Sequence, residues 1–188
     1  MNATARRISL LGIIAGIVAF GPVVALAPAF DEKSKTEAVK LTPVKWQGYV
    51  DQVKAHQKSK LIVVDAWATW CGPCMKNFPH LVELQTKYAD DGLVAISLSL
   101  DDADNPKKVA AATAFLKEKK ATFTNLILDE RNDDAFEKLN IGAIPAVFLY
   151  TPDGKEIKRF TLDDVDKLFT YEEVEAFVKD YLSGKASK

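Results

Sequence analysis

The stretch that decides the fold is LIVVDAWATWCGPCMKNFP, residues 61–79, in which an apolar run leads to two cysteines three positions apart. The uninterrupted apolar run at 61–64, which is β-branched from residue 62 on, predicts a strand that is buried on both faces. Pro73 fits the first turn of a following helix, where its missing N–H costs nothing. Cys71 would then lie at the N-terminus of that helix, where free N–H groups and the helix dipole favour its thiolate and lower its pKa.

The second cysteine, Cys74, lies one turn further into the helix and is expected to be more sheltered. An exposed sulfur of low pKa beside a hidden sulfur is what dithiol–disulfide exchange needs. The sequence therefore predicts a redox-active Cys71–Cys74 disulfide, with Cys71 as the nucleophile and no other cofactor. The alternative is half of a zinc site, which His56 and His80 would have to complete, and no spacing brings both histidines to the two cysteines.

Composition narrows the class of protein. With 188 residues, of which 48% are hydrophobic and 27% charged, the chain can fold as one globular domain with a good-sized core. The net charge of −1 gives no polycationic surface, so nucleic acid is not an expected partner. The two cysteines both belong to the motif, which excludes a structural disulfide framework and a four-cysteine zinc site.

Residues 1–30 are predicted to be a targeting segment. Arg6 and Arg7 form a positive start, residues 8–27 are apolar and uncharged, and residues 25–27 read Ala-Leu-Ala, which fits a signal-peptidase site. The alternative is an uncleaved anchor through residues 8–27, because about 20 apolar residues can span a bilayer. Either outcome predicts that the rest of the chain is extracytoplasmic, either free in the periplasm or membrane-anchored and facing it.

After a polar linker at 31–40, residues 41–188 are predicted to form one α/β domain in which strands and helices alternate. Strands are expected at about 41–46, 61–67, 93–100, 123–128, 144–150 and 155–160. Helices are expected at about 47–58, 72–89, 107–119, 129–139 and 171–182. Pro79 should kink the second of these helices because it removes a backbone donor.

Three features together resemble the thioredoxin superfamily: the WCGPC sequence at 70–74 after an apolar strand, Pro79 in the next helix, and Gly-Ala-Ile-Pro at 142–145 before a late strand. An extra helix–strand unit at about 105–128 and the N-terminal segment are similar to the extracytoplasmic TlpA/ResA-like branch. The resemblance covers about 41–183. It implies a central mixed β-sheet flanked by helices, with the extra unit inserted before the cis-proline strand.

The resemblance assigns proton transfer to Asp65, six residues before Cys71. In thioredoxins the matching acid is buried behind the second cysteine, here Cys74, and moves its proton. The apolar neighbours of Asp65 favour burial, which would raise its pKa and suit it as a base. The alternative is an acid that is simply solvated at a strand end.

The resemblance also implies a cis peptide bond before Pro145. The alternative is a trans proline at the start of a strand, because cis X–Pro bonds are uncommon. A cis bond would place the Ile144 backbone beside Cys71, where a substrate strand could pair by β-augmentation. The expected substrate surface consists of Trp70, Gly72, Pro73, Ile144 and Pro145.

Two neighbouring features keep alternatives open. Trp67 is expected either to flank the site or to belong to the core. Asp101 and Asp102 end the third strand on the same sheet edge as the cysteines. TlpA-like proteins often place an acid there, which implies tuning of the thiols; equally, the two aspartates would cap the next helix.

These observations predict an extracytoplasmic thiol–disulfide oxidoreductase. The preferred direction is reduction of protein disulfides, in cytochrome c maturation or envelope redox homeostasis, because Gly72-Pro73 and Asp65 resemble reducing thioredoxins. Many TlpA-like proteins have a neutral residue in place of Asp65. The expected partners are protein disulfide or dithiol substrates and a membrane electron donor, and the protein is expected to be a monomer. The alternatives are an oxidase or isomerase of secreted proteins and a non-catalytic binding module that has kept the fold.

Overall fold

The computed structural model describes residues 39–162 and 168–185 and shows a thioredoxin fold, a six-stranded mixed sheet flanked by helices. The strands are β1 Leu41–Val44, β2 Leu61–Trp67, β3 Leu93–Ser99, β4 Thr124–Leu128, β5 Ala146–Tyr150 and β6 Glu156–Phe160. The helices are α1 Trp46–Lys54, α2 Gly72–Asn77, α3 Pro79–Tyr88, α4 Pro106–Glu118, α5 Asn132–Leu139 and α6 Tyr171–Leu182.

The predicted targeting segment at 1–30 and most of the predicted linker at 31–40 lie outside the described residues, so both stay predictions. Within 39–162 and 168–185, no helix is long and apolar enough to cross a membrane.

The centre of the sheet is β2, whose seven residues are all buried. It pairs in parallel with β3 on one side and antiparallel with β5 on the other, in the strand order β1-β4-β3-β2-β5-β6. A strand covered on both faces needs apolar side chains on both, which explains the continuous apolar run of the sequence. The site that follows β2 is therefore attached to the most enclosed element of the fold.

The helices that position the site lie on one face of the sheet. The chain steps in one direction from β2 to β3 to β4, and right-handed crossovers place α2, α3 and α4 on the same side. Phe78, next to α2, packs on Phe115 of α4 at 5.1 Å between ring centroids, and Tyr88 of α3 bonds to Glu175 of α6. The return from β1 to β2 runs the other way, so α1 covers the opposite face.

The predicted extra helix–strand unit is present as α4 and β4. Strand β4 inserts between β1 and β3 and pairs in parallel with both. The kink predicted at Pro79 within one helix is a break between two helices in the structure, since α2 ends at Asn77 and α3 begins with the proline.

One predicted helix begins later than expected: residues 129–131 are not helical, and α5 starts at Asn132. Hydrogen bonds to β1 and α1 hold residues 129–131 in this non-helical conformation. The Asp129 N–H donates to the Val44 carbonyl at 2.8 Å, and a Glu130 oxygen accepts the Trp46 N–H at 3.0 Å.

Candidate active site

The junction between β2 and α2 positions the first cysteine. Cys71 is the N-cap of α2, with extended backbone angles, and Pro73 lies in the first turn. The Cys71 sulfur accepts the N–H of Cys74 at 3.2 Å, and the Cys71 N–H donates to the Ala68 carbonyl at 3.0 Å. The sulfur thus lies where an N-cap oxygen usually lies, and it faces the positive end of the helix.

The two cysteines form a disulfide with their Cα atoms 5.3 Å apart. Cys71 is 6% exposed and Cys74 is 1% exposed. The predicted order of exposure is right, but the prediction of an exposed Cys71 is wrong, because the loop before β5 covers it. The Cys71 sulfur lies 3.7 Å from the Ile144 carbonyl oxygen. Only a small part of Cys71 is therefore open to solvent.

That loop carries the cis peptide bond that the resemblance implied. The Ile144–Pro145 bond is cis, so the trans alternative is wrong. Pro145 is buried directly before β5, whose first residue, Ala146, pairs with Ala66 of β2. The register of the sheet therefore brings the Ile144 backbone to the cysteines from the far end of the sequence.

Of the five residues predicted to touch substrate, three lie at the surface, whereas Ile144 and Pro145 are buried. Trp70 is 49% exposed, and Gly72 and Pro73 are also exposed. The space above Gly72 is open, since a Cβ there would meet no heavy atom within 4 Å. Trp67, by contrast, is fully buried between Phe78 and Phe115 and belongs to the core. Contact between the exposed residues and a substrate stays a prediction.

Asp65 is buried in the middle of the sheet. It is 1% exposed, so the alternative of a solvated acid is wrong. The Tyr171 hydroxyl donates to its Oδ2 at 2.7 Å, whereas Oδ1 is buried without a hydrogen-bond partner among the described residues. Burial raises the pKa of the Asp65 carboxyl to about 7, and the hydrogen bond from Tyr171 opposes that rise. Because side chains alternate along β2, Asp65 shares a face with Trp67, on the side of α2 and Cys74.

Asp101 holds the loop that leads to the cysteines, a role the sequence did not reveal. Its carboxylate is 1% exposed and accepts the Thr69 N–H at 2.9 Å, the Thr69 hydroxyl at 2.5 Å and the Ser99 hydroxyl at 2.9 Å. The alternative that the two aspartates cap α4 is wrong, because Asn105 is the N-cap and Asp102 accepts the N–H of Asp104 within the preceding turn; tuning of the thiols stays a prediction. The sequence did hold one signal for this contact, because Thr69 follows β2 and Asp101 follows the neighbouring strand β3.

The two histidines that a zinc site would need each make contacts that do not involve the cysteines. His56 lies in the turn before β2, where its carbonyl accepts the Ser59 hydroxyl at 2.7 Å, and His80 of α3 stacks on Tyr171. In the described part of the chain, no three side chains of the metal-binding types are grouped. The absence of a cofactor beyond the disulfide stays a prediction.

Comparison with known proteins agrees with this geometry. The redoxin family model matches residues 29–177. Thiol-disulfide oxidoreductase ResA of Bacillus anthracis is 27% identical over 182 residues, which cover 95% of this chain and 96% of that protein. Thioredoxin H-type of Fagopyrum esculentum is 32% identical over 91 residues, covering 48% of this chain and 78% of its own. A solved thiol:disulfide interchange protein from Bacteroides sp. is 25% identical with a TM-score of 0.50, covering 67% of this chain and 77% of its own.

Asp101→Asn should loosen the loop before Cys71. An amide accepts through one oxygen only and carries no charge, so its NH₂ group would replace one acceptor, and the charge-assisted bonds from Thr69 and Ser99 would be lost or weakened. We expect the free energy of unfolding to fall by about 1–3 kcal/mol in urea denaturation. Asp102→Asn is the matched control, because Asp102 is exposed, and it should change stability by less than about 0.5 kcal/mol. Equal effects of the two substitutions would contradict the role of Asp101.

Proposed function

This chain belongs to the redoxin family, as a TlpA/ResA-like thiol–disulfide oxidoreductase of the thioredoxin superfamily, and we propose that it reduces protein disulfides outside the cytoplasm. One observation carries the proposal. The Cys71 sulfur caps α2, accepts the N–H of Cys74 and forms the disulfide with Cys74 beside the Ile144 carbonyl. This arrangement supports one attacking and one resolving sulfur.

The first step is attack by the Cys71 thiolate of the reduced protein. It forms a bond to one sulfur of a substrate disulfide, whose S–S bond breaks, and the second substrate sulfur leaves as a thiolate that takes a proton from solvent. The product is a mixed disulfide between Cys71 and the substrate. The Cys74 N–H and the helix dipole stabilise the attacking thiolate at neutral pH.

The second step regenerates the disulfide seen in the structure. The Cys74 thiol gives its proton to the Asp65 carboxylate, and the resulting thiolate attacks the Cys71 sulfur. The bond between Cys71 and the substrate breaks, and the remaining substrate sulfur leaves as a thiolate that is protonated by solvent. Two electrons have then passed from the Cys71–Cys74 pair to the substrate, and Asp65 returns its proton to solvent.

The residues between the cysteines support reduction as the direction of electron flow. Gly72 and Pro73 have no side-chain hydrogen-bond donor, and Asp65 supplies an acid where a cation would stabilise thiolates. A dithiol that receives little stabilisation gives up its electrons readily, whereas strong oxidants stabilise their reduced form. This supports a reductant.

A reductant in an oxidising compartment needs a supply of electrons. We place that supply in a membrane donor protein and the substrates among exported proteins, including cytochrome c precursors. The apolar segment at 8–27 supports export, and it tethers the protein if it is not cleaved. The protein is proposed to act as a monomer, since one chain holds both cysteines, the acid and the cis-proline loop.

Cys71→Ala should abolish reduction of insulin disulfides by the purified protein, because the variant lacks the sulfur that attacks the substrate. Cys74→Ala is the matched variant: it should form the mixed disulfide on Cys71 and accumulate it, since the resolving thiol is missing. Mass spectrometry of the trapped species gives the attachment site. A stable adduct on Cys74 in the Cys71→Ala variant, with retained turnover, would reverse the two roles.

Asp65→Asn should slow resolution of the mixed disulfide and remove its dependence on an acid near pH 7. In the wild type the rate should rise through about pH 7, as burial places the carboxyl pKa there and the carboxylate is the base. We expect a loss of about tenfold or more at pH 8, measured by stopped-flow kinetics of the trapped adduct. An unchanged pH profile would remove Asp65 from proton transfer.

The same variant should gain stability, which separates loss of the base from loss of the fold. The folded pKa of Asp65 lies above its unfolded value, so its ionisation destabilises the native state progressively between about pH 4 and 7 and fully above pH 7. Asp65→Asn should therefore raise the free energy of unfolding at pH 8, by up to about 4 kcal/mol, and much less at pH 4.

A further inference from the structure

The two oxygens of the Asp65 carboxylate have different surroundings. Oδ2 accepts the hydroxyl of Tyr171, the first residue of α6, at 2.7 Å, across 106 positions of sequence. Both side chains are buried, with Tyr171 6% exposed. Oδ1 is equally enclosed but has no hydrogen-bond partner in the described residues. The carboxylate is thus held by one oxygen and unsatisfied at the other.

The Tyr171 hydroxyl is placed by contacts that do not involve Asp65. A capping box fixes the start of α6: the Thr170 hydroxyl accepts the Glu173 N–H at 3.3 Å, and the Glu173 carboxylate accepts the Thr170 N–H at 2.9 Å. The Tyr171 ring stacks on His80 of α3, with ring centroids 5.3 Å apart. It also packs at a tilt against the Phe169 ring, with centroids 5.7 Å apart. The position of the hydroxyl is therefore determined by the fold rather than by the carboxylate.

The neighbours of Asp65 in the sheet are uncharged, whereas Tyr171 lines a cavity with charged side chains. Within the sheet, Asp65 is paired with Ser97 and Val147, which carry no charge. The cavity between α3 and α6, which Tyr171 lines, holds the charged or titratable side chains of His80, Glu83, Lys87, Glu172 and Glu175. Lys87 forms an ion pair with Glu175, and Nδ1 of His80 lies 3.5 Å from Oε2 of Glu83. Tyr171 is thus bonded to Asp65 and also lines the cavity that holds these side chains.

We propose that Tyr171 is a positioning residue for thiol–disulfide exchange. Its hydroxyl donates to Oδ2 of Asp65 and thereby directs the proton released by Cys74 to Oδ1. The proposal rests on the proton-transfer role of Asp65 in the proposed function. A carboxylate that is free to rotate would offer either oxygen, whereas one held by a fixed hydroxyl offers a single basic atom in a single orientation.

Tyr171 acts as a donor and does not itself carry the proton away. Burial raises the pKa of the Tyr171 hydroxyl well above its ordinary value of 10, so the group stays neutral and keeps donating to Oδ2. The proton that Cys74 loses is the proton that Oδ1 gains, and Oδ1 later returns it to solvent. A hydrogen bond to the ionised carboxyl favours that form, so Tyr171 also keeps part of Asp65 ionised near neutral pH.

Tyr171→Phe in the full-length protein tests the proposal. The pKa of Asp65 is read from the carboxyl carbon by ¹³C NMR, and Asp65→Asn identifies the resonance by its absence. The variant should show a higher Asp65 pKa than the wild type. Resolution of the mixed disulfide should slow by about three- to tenfold at pH 6. At pH 9, where the carboxyl is ionised in both proteins, only the part of the loss that comes from the freed orientation of the carboxylate should remain.

Tyr88→Phe is the matched control. Its hydroxyl crosses the same α3–α6 interface but donates to Glu175 at 2.9 Å, so its removal should leave the Asp65 pKa and the pH profile unchanged. The proposal would be overturned if the Asp65 pKa in Tyr171→Phe equalled the wild-type value. It would also be overturned if Tyr88→Phe raised the Asp65 pKa as much as Tyr171→Phe does. A raised pKa with an unchanged rate at pH 6 would overturn it through its premise, the proton role of Asp65.

Discussion

The site depends on one hydrogen bond, from the Cys74 amide to the Cys71 sulfur. The first turn of a helix leaves backbone N–H groups without partners, and here a sulfur satisfies one of them. The same contact caps α2 and stabilises the nucleophilic thiolate, so the fold and the chemistry share one feature. It requires a strand that ends at a fixed point, and β2 supplies that point because all seven of its residues are buried.

The buried acid shows the opposite relation between fold and function. An apolar side chain in place of Asp65 would suit the centre of β2, yet the chain holds a carboxyl there with one unsatisfied oxygen. Because burial raises the pKa of this carboxyl, its ionisation costs stability. Groups that are kept against stability are typical of sites at which a proton must move.

Much of this arrangement could be predicted from local sequence, and the rest could not for a physical reason. The helix Tyr171–Leu182, the junction at Cys71 and the break at Pro79 follow from periodicity and proline chemistry, and the cis bond before Pro145 followed from the resemblance. The contacts of Asp65 with Tyr171 and of Asp101 with Thr69 join side chains 106 and 32 positions apart. Periodicity identifies which face a residue occupies, but the partner on that face is chosen by tertiary packing. The cover over Cys71 was missed because it comes from the distant loop at Ile144.

The assignment as a reductant is tested most directly by the reduction potential of the Cys71–Cys74 pair, measured by equilibration with glutathione. Gly72 and Pro73 give the dithiol form no side-chain donor, so its stabilisation is limited to backbone and dipole. We expect a potential near that of thioredoxin, roughly −270 mV. A potential of roughly −120 to −180 mV, the range of oxidases and isomerases, would contradict the assignment and make folding secreted proteins the substrates.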